Sequence, residues 1–187
     1  MKKITVFFSL FLIVIICTLC LYAEFSFRDI SAGVVRLHVL ANSNTEEDQK
    51  LKLKVRDCIL EQARTLLANA VNKGDSMAIL GENTAVFEKK ARECISREGY
   101  DYDVQVSLDK CDFPTKSYKN LTLPQGEYDA LRVVIGSGLG DNWWCVVFPP
   151  FCLGDAATSS DKSKDVTIKF KLVEIYNGLK KKLKSIW

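Results

Sequence analysis

The residues of this chain that could do chemistry are its single histidine, His38, and the cysteines after the N-terminal region. A cysteine and a histidine act as nucleophile and base when the fold brings them into hydrogen-bond reach. Cys145 or Cys111 could form such a pair with His38, although no local nucleophile signature surrounds either cysteine. The alternative is a histidine that is exposed on a strand or hydrogen-bonded to the Ser/Asn/Asp turn that follows it.

Three alternate glycines, Gly136, Gly138 and Gly140, resemble a phosphate-binding loop. Such a loop leads into the N-terminus of a helix, whereas the residues 143–147, WWCVV, are typical of a strand. A metal site is also disfavoured, because the cysteines lack the short C-x2-C spacing and His38 is remote from them in sequence. We therefore expect no catalytic residues, no cofactor and no metal.

Four of the cysteines fall into two pairs of different character. Cys58 and Cys94 lie on the apolar stripes of predicted helices, where a free thiol packs as a small hydrophobic group. Cys145 and Cys152 flank VVFPPF, and a turn through the two prolines could bring them together. A disulfide between Cys145 and Cys152 is a candidate in an exported domain, but sequence alone does not fix its connectivity.

The chain begins with an export signal. Met1-Lys2-Lys3 precedes an apolar run from Ile4 to Tyr22, which is a basic n-region followed by a hydrophobic segment. Residues 1–23 are either a cleaved signal peptide or an uncleaved anchor, since the run is nearly long enough to span a bilayer. The positive-inside rule places residues 24–187 on the outer face of the membrane. The formal net charge of +3 includes these two lysines, and it does not indicate a nucleic-acid partner.

The periodicity of apolar residues predicts one extracytoplasmic α+β domain over residues 24–187. Its small mixed or antiparallel sheet of about four strands is covered by a helical pair and a C-terminal amphipathic helix. We predict the following elements: a strand over Val34–Ala41, a helix capped by Thr45, a helix over Asp75–Glu98, a strand over Tyr102–Asp109, a loop over Phe113–Gly126, a hairpin of Tyr128–Ile135 with Trp143–Phe148, a loop over Gly154–Asp165 and a helix over Val166–Trp187.

Two features indicate surfaces for recognition. Adjacent strand residues point to opposite faces, so either Trp143 or Trp144 can fill the core while the other is an aromatic anchor, unless both are buried. The lysines near the C-terminus either form a solvated helix face or rest on an anionic membrane surface. These lysines are Lys180, Lys181, Lys182 and Lys184.

Four segments carry a family resemblance. They are RLHVLANSNTEEDQKLKLKVRDCIL (36–60), FPTKSYKNLTLPQGEYDALRVVIG (113–136), NWWCVVFPPFC (142–152) and KFKLVE (169–174). The chain resembles the stage II sporulation protein R family over nearly all of the predicted exported region, and the blocks NWWCVVFPP and GEYDALRVVIG are the most distinctive.

The resemblance implies a secreted, non-enzymatic signal in endospore formation. Members of the family are exported into the space between the forespore and mother-cell membranes. There they activate a membrane-embedded aspartic protease of the mother-cell membrane, which then cleaves pro-sigma-E. We expect receptor contacts from aromatic and basic residues, namely Trp143, Trp144, Arg132, Tyr118 and Lys116. The alternatives are an exported Cys-His hydrolase and a membrane-associated structural sporulation protein.

Overall fold

The computed structural model describes residues 2–118 and 121–149 of the chain. Its helices are α1 (Lys2–Ala32), α2 (Glu46–Leu66), α3 (Lys73–Glu82) and α4 (Thr84–Arg97). Its strands are β1 (Val35–Leu40), β2 (Val104–Phe113), β3 (Lys116–Tyr118), β4 (Leu121–Leu123), β5 (Gly126–Ile135) and β6 (Asn142–Phe148). The described residues form two compact units. One unit contains residues 31–113 and 127–149, and the other contains residues 2–30, 114–118 and 121–126.

The helix starts follow from capping side chains. The Thr45 hydroxyl accepts a hydrogen bond from the Asp48 N–H at 3.3 Å, as the sequence predicts, and the first turn of α2 is acidic. The predicted helix over Asp75–Glu98 is wrong in one respect, because it is divided into α3 and α4 at Asn83. The Asn83 side-chain amide donates to the Ile79 carbonyl at 2.8 Å, and such local bonds compete with the backbone ladder of a continuous helix.

The four-stranded sheet has the order β2-β5-β1-β6. Strand β1 is parallel to β5 and antiparallel to β6, so the sheet is mixed. At the other edge, the Gly136 N–H donates to the Asp103 carbonyl at 2.7 Å, which places the end of β5 beside the start of β2. The predicted α+β class and the sheet of about four strands are confirmed.

One face of this sheet packs on α2, α3 and α4. The strands contribute Val35, Leu37, Val39, Val104, Leu131, Val133, Ile135, Cys145 and Val147 to this core. The helices contribute Leu51, Val55, Ile59, Leu80, Phe87, Ala91 and Ile95, among others. Burying each of these larger aliphatic or aromatic side chains stabilises the fold by roughly 1.5–3 kcal/mol relative to exposure.

The predicted hairpin of Tyr128–Ile135 with Trp143–Phe148 is wrong, because β1 lies between β5 and β6. The connection crosses the end of β1, where the Leu139 N–H donates to the Asn42 carbonyl at 3.3 Å and the Gly140 N–H donates to the Ala41 carbonyl at 2.9 Å. The glycine-rich segment therefore carries the chain over β1 to its far side, instead of forming a tight turn.

The predicted loop over Phe113–Gly126 also differs, since it contains the antiparallel pair β3 and β4. The predicted elements Gly154–Asp165 and Val166–Trp187, with the C-terminal lysines, lie outside the described residues.

The N-terminal apolar run forms the long helix α1. Within the described part of the chain, α1 is the one helix long and apolar enough to cross a membrane, with a mean hydropathy of 2.9 in its most apolar window. A signal sequence and a membrane anchor share these properties, so α1 fits either form of the predicted export segment.

Candidate functional site

The two adjacent tryptophans lie on opposite faces of the sheet. In the β1–β6 register, Trp143 is opposite Val39 and Trp144 is opposite His38. Val39 belongs to the helix-covered core, so Trp143 is on the helix side and Trp144 is on the other side. Both indoles are half-buried. The prediction that the pair divides between two faces therefore agrees with the register.

Trp143 forms one wall of a cleft between β6 and α2. The cleft has a volume of about 340 Å³ and is lined by Arg56, Asp57, Leu60, Glu61, Arg64, Trp143 and Cys145. The Arg56 guanidinium lies 4.4 Å from the centre of the Trp143 ring. Asp57 holds that guanidinium in place, with its Oδ1 accepting from Arg56 Nη2 at 2.7 Å. A cation over the face of an indole is a favourable contact, and here it is fixed by an ion pair.

The chemistry of this cleft suits recognition. Its apolar surface comes from Trp143 and Leu60, and its charged groups come from consecutive turns of α2. Arg64, in the last turn of α2, is exposed. Aromatic and arginine side chains in a concave site are the residue types that dominate protein–protein binding energy.

On the opposite face, His38 lies between Arg132 and Trp144 in a row across β5, β1 and β6. The imidazole stacks on the Trp144 ring, with 3.9 Å between centroids. Its Nε2 donates to Asn142 Oδ1 at 2.6 Å. Burial lowers the pKa of His38, the positive charges of Arg132 and Arg36 lower it further, and the bond to Asn142 opposes them. The ring is therefore neutral at pH 7.

His38 is 7 % exposed, so the expected exposed position is wrong, and its hydrogen-bond partner is Asn142 instead of the turn after β1.

Arg36 is a fully buried cation on this face. Its guanidinium lies 3.9 Å from the centre of the Phe113 ring and 4.9 Å from that of Tyr128. Its Nε donates to the Cys145 carbonyl at 3.5 Å. The sequence predicts that Arg36 lies on a strand, but it does not reveal these aromatic partners, which come from β2 and β5.

The Cys-His pairs required for a hydrolase are not assembled. Cys145 is opposite Leu37 on the helix side, whereas His38 points to the other face. Cys111 is on β2, and β5 separates β2 from β1, which places the two backbones roughly 10 Å apart. Burial also raises the pKa of the Cys111 thiol, which disfavours the reactive thiolate. Residues 2–118 and 121–149 contain no group of three or more His, Cys, Asp or Glu side chains that could hold a metal ion.

The glycine-rich segment packs against the loop that leads into α2, and this contact explains its composition. A Cβ on Gly140 would lie 2.2 Å from the Ser43 carbonyl oxygen, and a Cβ on Gly136, which has φ +54°, would lie 2.3 Å from Asn42 Oδ1. The Asp141 N–H donates to Asn44 Oδ1 at 2.6 Å. Through these contacts the glycine-rich segment and the loop before α2 hold each other in place, and we call this packed pair of loops the clasp.

Asp48 joins the same clasp from the first turn of α2. Its Oδ2 accepts from Ser43 Oγ at 2.6 Å and from Asn42 Nδ2 at 2.9 Å. Burial acts to raise the pKa of Asp48, but the bonds from Ser43, Asn42 and Tyr102 outweigh it, so the pKa is lowered.

The remaining candidates fall elsewhere. Lys116 and Tyr118 are on β3, in the unit that contains the β3–β4 pair. Cys145 is buried and disulfide-bonded, whereas Cys58, Cys94 and Cys111 carry free thiols. Cys152 lies outside the described residues, so its pairing with Cys145 stays a prediction.

Comparison with known proteins assigns a family to this arrangement. Residues 31–159 match the family described as stage II sporulation protein R. The chain belongs to the stage II sporulation protein R family. The matched range contains β1, the clasp, the cleft and both tryptophans, and the family is therefore shown over the residues that form these features.

One relative is the stage II sporulation protein R of Bacillus subtilis (strain 168). It is 36 % identical over 121 residues, which cover 65 % of this chain and 54 % of the relative. The matched region thus spans about half the length of that relative. No solved structure matches the chain.

Proposed function

We propose that this chain is an exported signal of endospore formation, which activates a membrane-embedded aspartic protease of the mother-cell membrane so that pro-sigma-E is cleaved. The observation that carries this proposal is the match to the stage II sporulation protein R family over residues 31–159. The apolar helix α1 supports it, because a protein that acts between two membranes needs an export signal or an anchor. The role is that of a ligand and not of a protease.

Activation of a receptor sets an energetic requirement. A ligand shifts a protease from an inactive to an active state only through its difference in affinity for the two states. Conversion from mostly inactive to mostly active requires a preference of about 10⁴-fold, or roughly 5.5 kcal/mol. Two or three well-packed aromatic and arginine contacts can supply that difference.

We assign these contacts to the Trp143 cleft. The indole and the Arg56 guanidinium are already held against each other by Asp57, so little side-chain entropy is lost on binding. The cleft is concave, and Arg64 extends from its rim into solvent. Trp144 and Arg132 lie beside His38 on the opposite face, and the stacking of Trp144 on the His38 ring favours a structural role for that face.

Reconstitution tests the function directly. The full chain, the protease and a pro-sigma-E substrate are placed together in lipid vesicles, and cleavage is followed as the ratio of chain to protease increases. We expect cleavage that depends on the chain and saturates. Cleavage that is equally fast without the chain, or absent at every ratio, would contradict the signalling role, and the second outcome would favour a structural sporulation protein.

The hydrolase alternative is separated in the same vesicles. A chain that carries Cys111→Ser is expected to activate cleavage normally, because Cys111 is not placed near His38. Loss of activation in a folded Cys111→Ser chain would revive the catalytic interpretation.

A further inference from the structure

Two buried cysteines on neighbouring helices face each other across the core. Cys58 is on α2 and Cys94 is on α4, and they are 8 % and 1 % exposed. Their sulfur atoms are 2.7 Å apart. A disulfide bond is about 2.05 Å long, so only a small movement of the two side chains separates this contact from a covalent bond. Sequence reasoning assigned both residues to core packing and did not bring them together.

An arginine one turn further along α4 lies beside both sulfurs. Arg97 Nη2 is 3.4 Å from Cys58 Sγ and 3.7 Å from Cys94 Sγ. A guanidinium favours the thiolate form of a neighbouring cysteine, and the thiolate is the nucleophile in disulfide exchange. Two thiols with a cation beside them form an arrangement that packing alone does not require.

The two sulfurs differ in their access to solvent. Burial and the bond with Cys58 raise the pKa of Cys94 to about 12, so Cys94 holds its proton at neutral pH. Cys58 is the more exposed of the two and is nearer to Arg97. Cys58 is therefore the sulfur that meets an external reagent first, and Cys94 is placed to react with it afterwards.

We propose that Cys58 and Cys94 are a redox modification site, which forms a disulfide between α2 and α4 when the chain meets a small disulfide oxidant. Cys58 gives its proton to water, and the resulting thiolate attacks one sulfur of the oxidant and releases its other half as a thiolate, which leaves a mixed disulfide. The released thiolate takes the Cys94 proton. Cys94 then attacks the Cys58 sulfur and expels the second half, which takes up the proton that Cys58 gave to water. The protein loses two electrons and two protons, and the oxidant becomes two thiols.

The bond would close a loop across 36 positions of sequence. Such a cross-link restricts the unfolded chain, and loops of this size are expected to raise the melting temperature of a domain by roughly 10 °C. This cross-link would change the covalent state of the core helices α2 and α4, and it does not depend on the proposed signalling function.

The test uses the full chain in a mild detergent, incubated at pH 8 with oxidised glutathione or with dithiothreitol. After denaturation and alkylation of free thiols, peptide mass spectrometry locates the disulfides. We expect a Cys58–Cys94 cross-linked peptide in the oxidised sample, and the same cross-linked peptide in a Cys111→Ser control. We also expect the oxidised chain to have a melting temperature roughly 10 °C higher than that of a Cys58→Ala, Cys94→Ala chain treated identically. Arg97→Gln is expected to slow formation of the cross-link, because it removes the cation that lies beside both sulfurs.

Full alkylation of Cys58 and Cys94 after oxidation would overturn the proposal, and so would pairing of either with Cys111. Because disulfides are read by mass and signalling by pro-sigma-E cleavage, failure of one proposal is distinguishable from failure of the other.

Discussion

Because the glycine-rich segment packs tightly against the loop before α2, we expect one added methyl group in this clasp to lower the free energy of unfolding strongly. In Gly140→Ala, the new Cβ would lie 2.2 Å from the Ser43 carbonyl oxygen, 2.6 Å from the Ser43 carbonyl carbon and 2.8 Å from the Ala41 Cβ. Two of these three atoms are backbone, so the strain cannot be relieved by a side-chain rotation. The two loops must move apart.

The magnitude follows from the contacts that such a movement breaks. Overpacking of this kind costs about 1–3 kcal/mol. The hydrogen bonds from the Gly140 N–H to Ala41 and from the Asp141 N–H to Asn44 contribute about 1 kcal/mol each when intact. If the movement breaks one of these two bonds, the free energy of unfolding falls by about 2–4 kcal/mol, which is a large part of the 5–15 kcal/mol typical of a domain.

The assay is urea unfolding of the full chain in a mild detergent, followed by tryptophan fluorescence. A loss of this size shifts the midpoint by about 1–2 M urea. Gly81→Ala is the matched control, since Gly81 is helical and its added Cβ would be 3.6 Å from Leu108 Cδ2, an ordinary contact. We expect Gly81→Ala to be neutral or to stabilise by up to about 1 kcal/mol. A Gly140→Ala chain as stable as the Gly81→Ala chain would refute the clasp.

Three further predictions concern buried polar groups. Asp48→Asn should lower the free energy of unfolding by about 1–3 kcal/mol at pH 7. Because the pKa of Asp48 is lowered in the folded chain, the stability difference between the wild type and Asp48→Asn should shrink as the pH falls below 3.8. Denaturation of both chains at several pH values measures this difference. The lowered pKa of His38 means that the unfolded chain binds a proton that the folded chain does not, so stability should fall as the pH decreases below 6.5. His38→Gln should flatten that decrease, and an unchanged pH profile would contradict the assignment. Arg36→Ala should cost about 3 kcal/mol or more through lost packing and cation–π contact, whereas Arg56→Ala, on the half-buried Trp143, should cost about 1 kcal/mol or less in the same unfolding assay.

The sequence was sufficient for the local elements of this fold. The alternation of apolar residues in β1 and the Thr45 cap of α2 both depend on neighbouring residues alone, and both were predicted correctly. The interruption of the second helical segment at Asn83 was missed, because it depends on which way one amide turns, towards solvent or back to the Ile79 carbonyl.

The pairing of strands could not be read in the same way. The local sequence is the same for a glycine-rich turn that joins two adjacent strands and for a connection that crosses the end of β1. Which of the two forms depends on the contacts of Gly140 with a loop far away in sequence. The Cys58–Cys94 contact was missed for a similar reason, since it depends on the rotation of α2 against α4.

The candidate site was predicted in part. The two-residue period of a strand was enough to place Trp143 and Trp144 on opposite faces of the sheet. The arginine that packs on Trp143, Arg56, comes from α2 and has no sequence signal of its own. Lys116 and Tyr118 came from a segment predicted as a loop, and the structure places them on β3.

The most direct test of the central claim is the concentration of chain that gives half-maximal pro-sigma-E cleavage in vesicles that contain the protease. Loss of one central aromatic contact costs 2 kcal/mol or more, so Trp143→Ala should raise that concentration about 30-fold or more. Trp144→Ala, which removes the same side chain from the opposite face, should change it by less than about threefold in chains confirmed as folded by circular dichroism. The double variant should behave as Trp143→Ala. A Trp143→Ala chain that activates at the wild-type concentration would contradict the account.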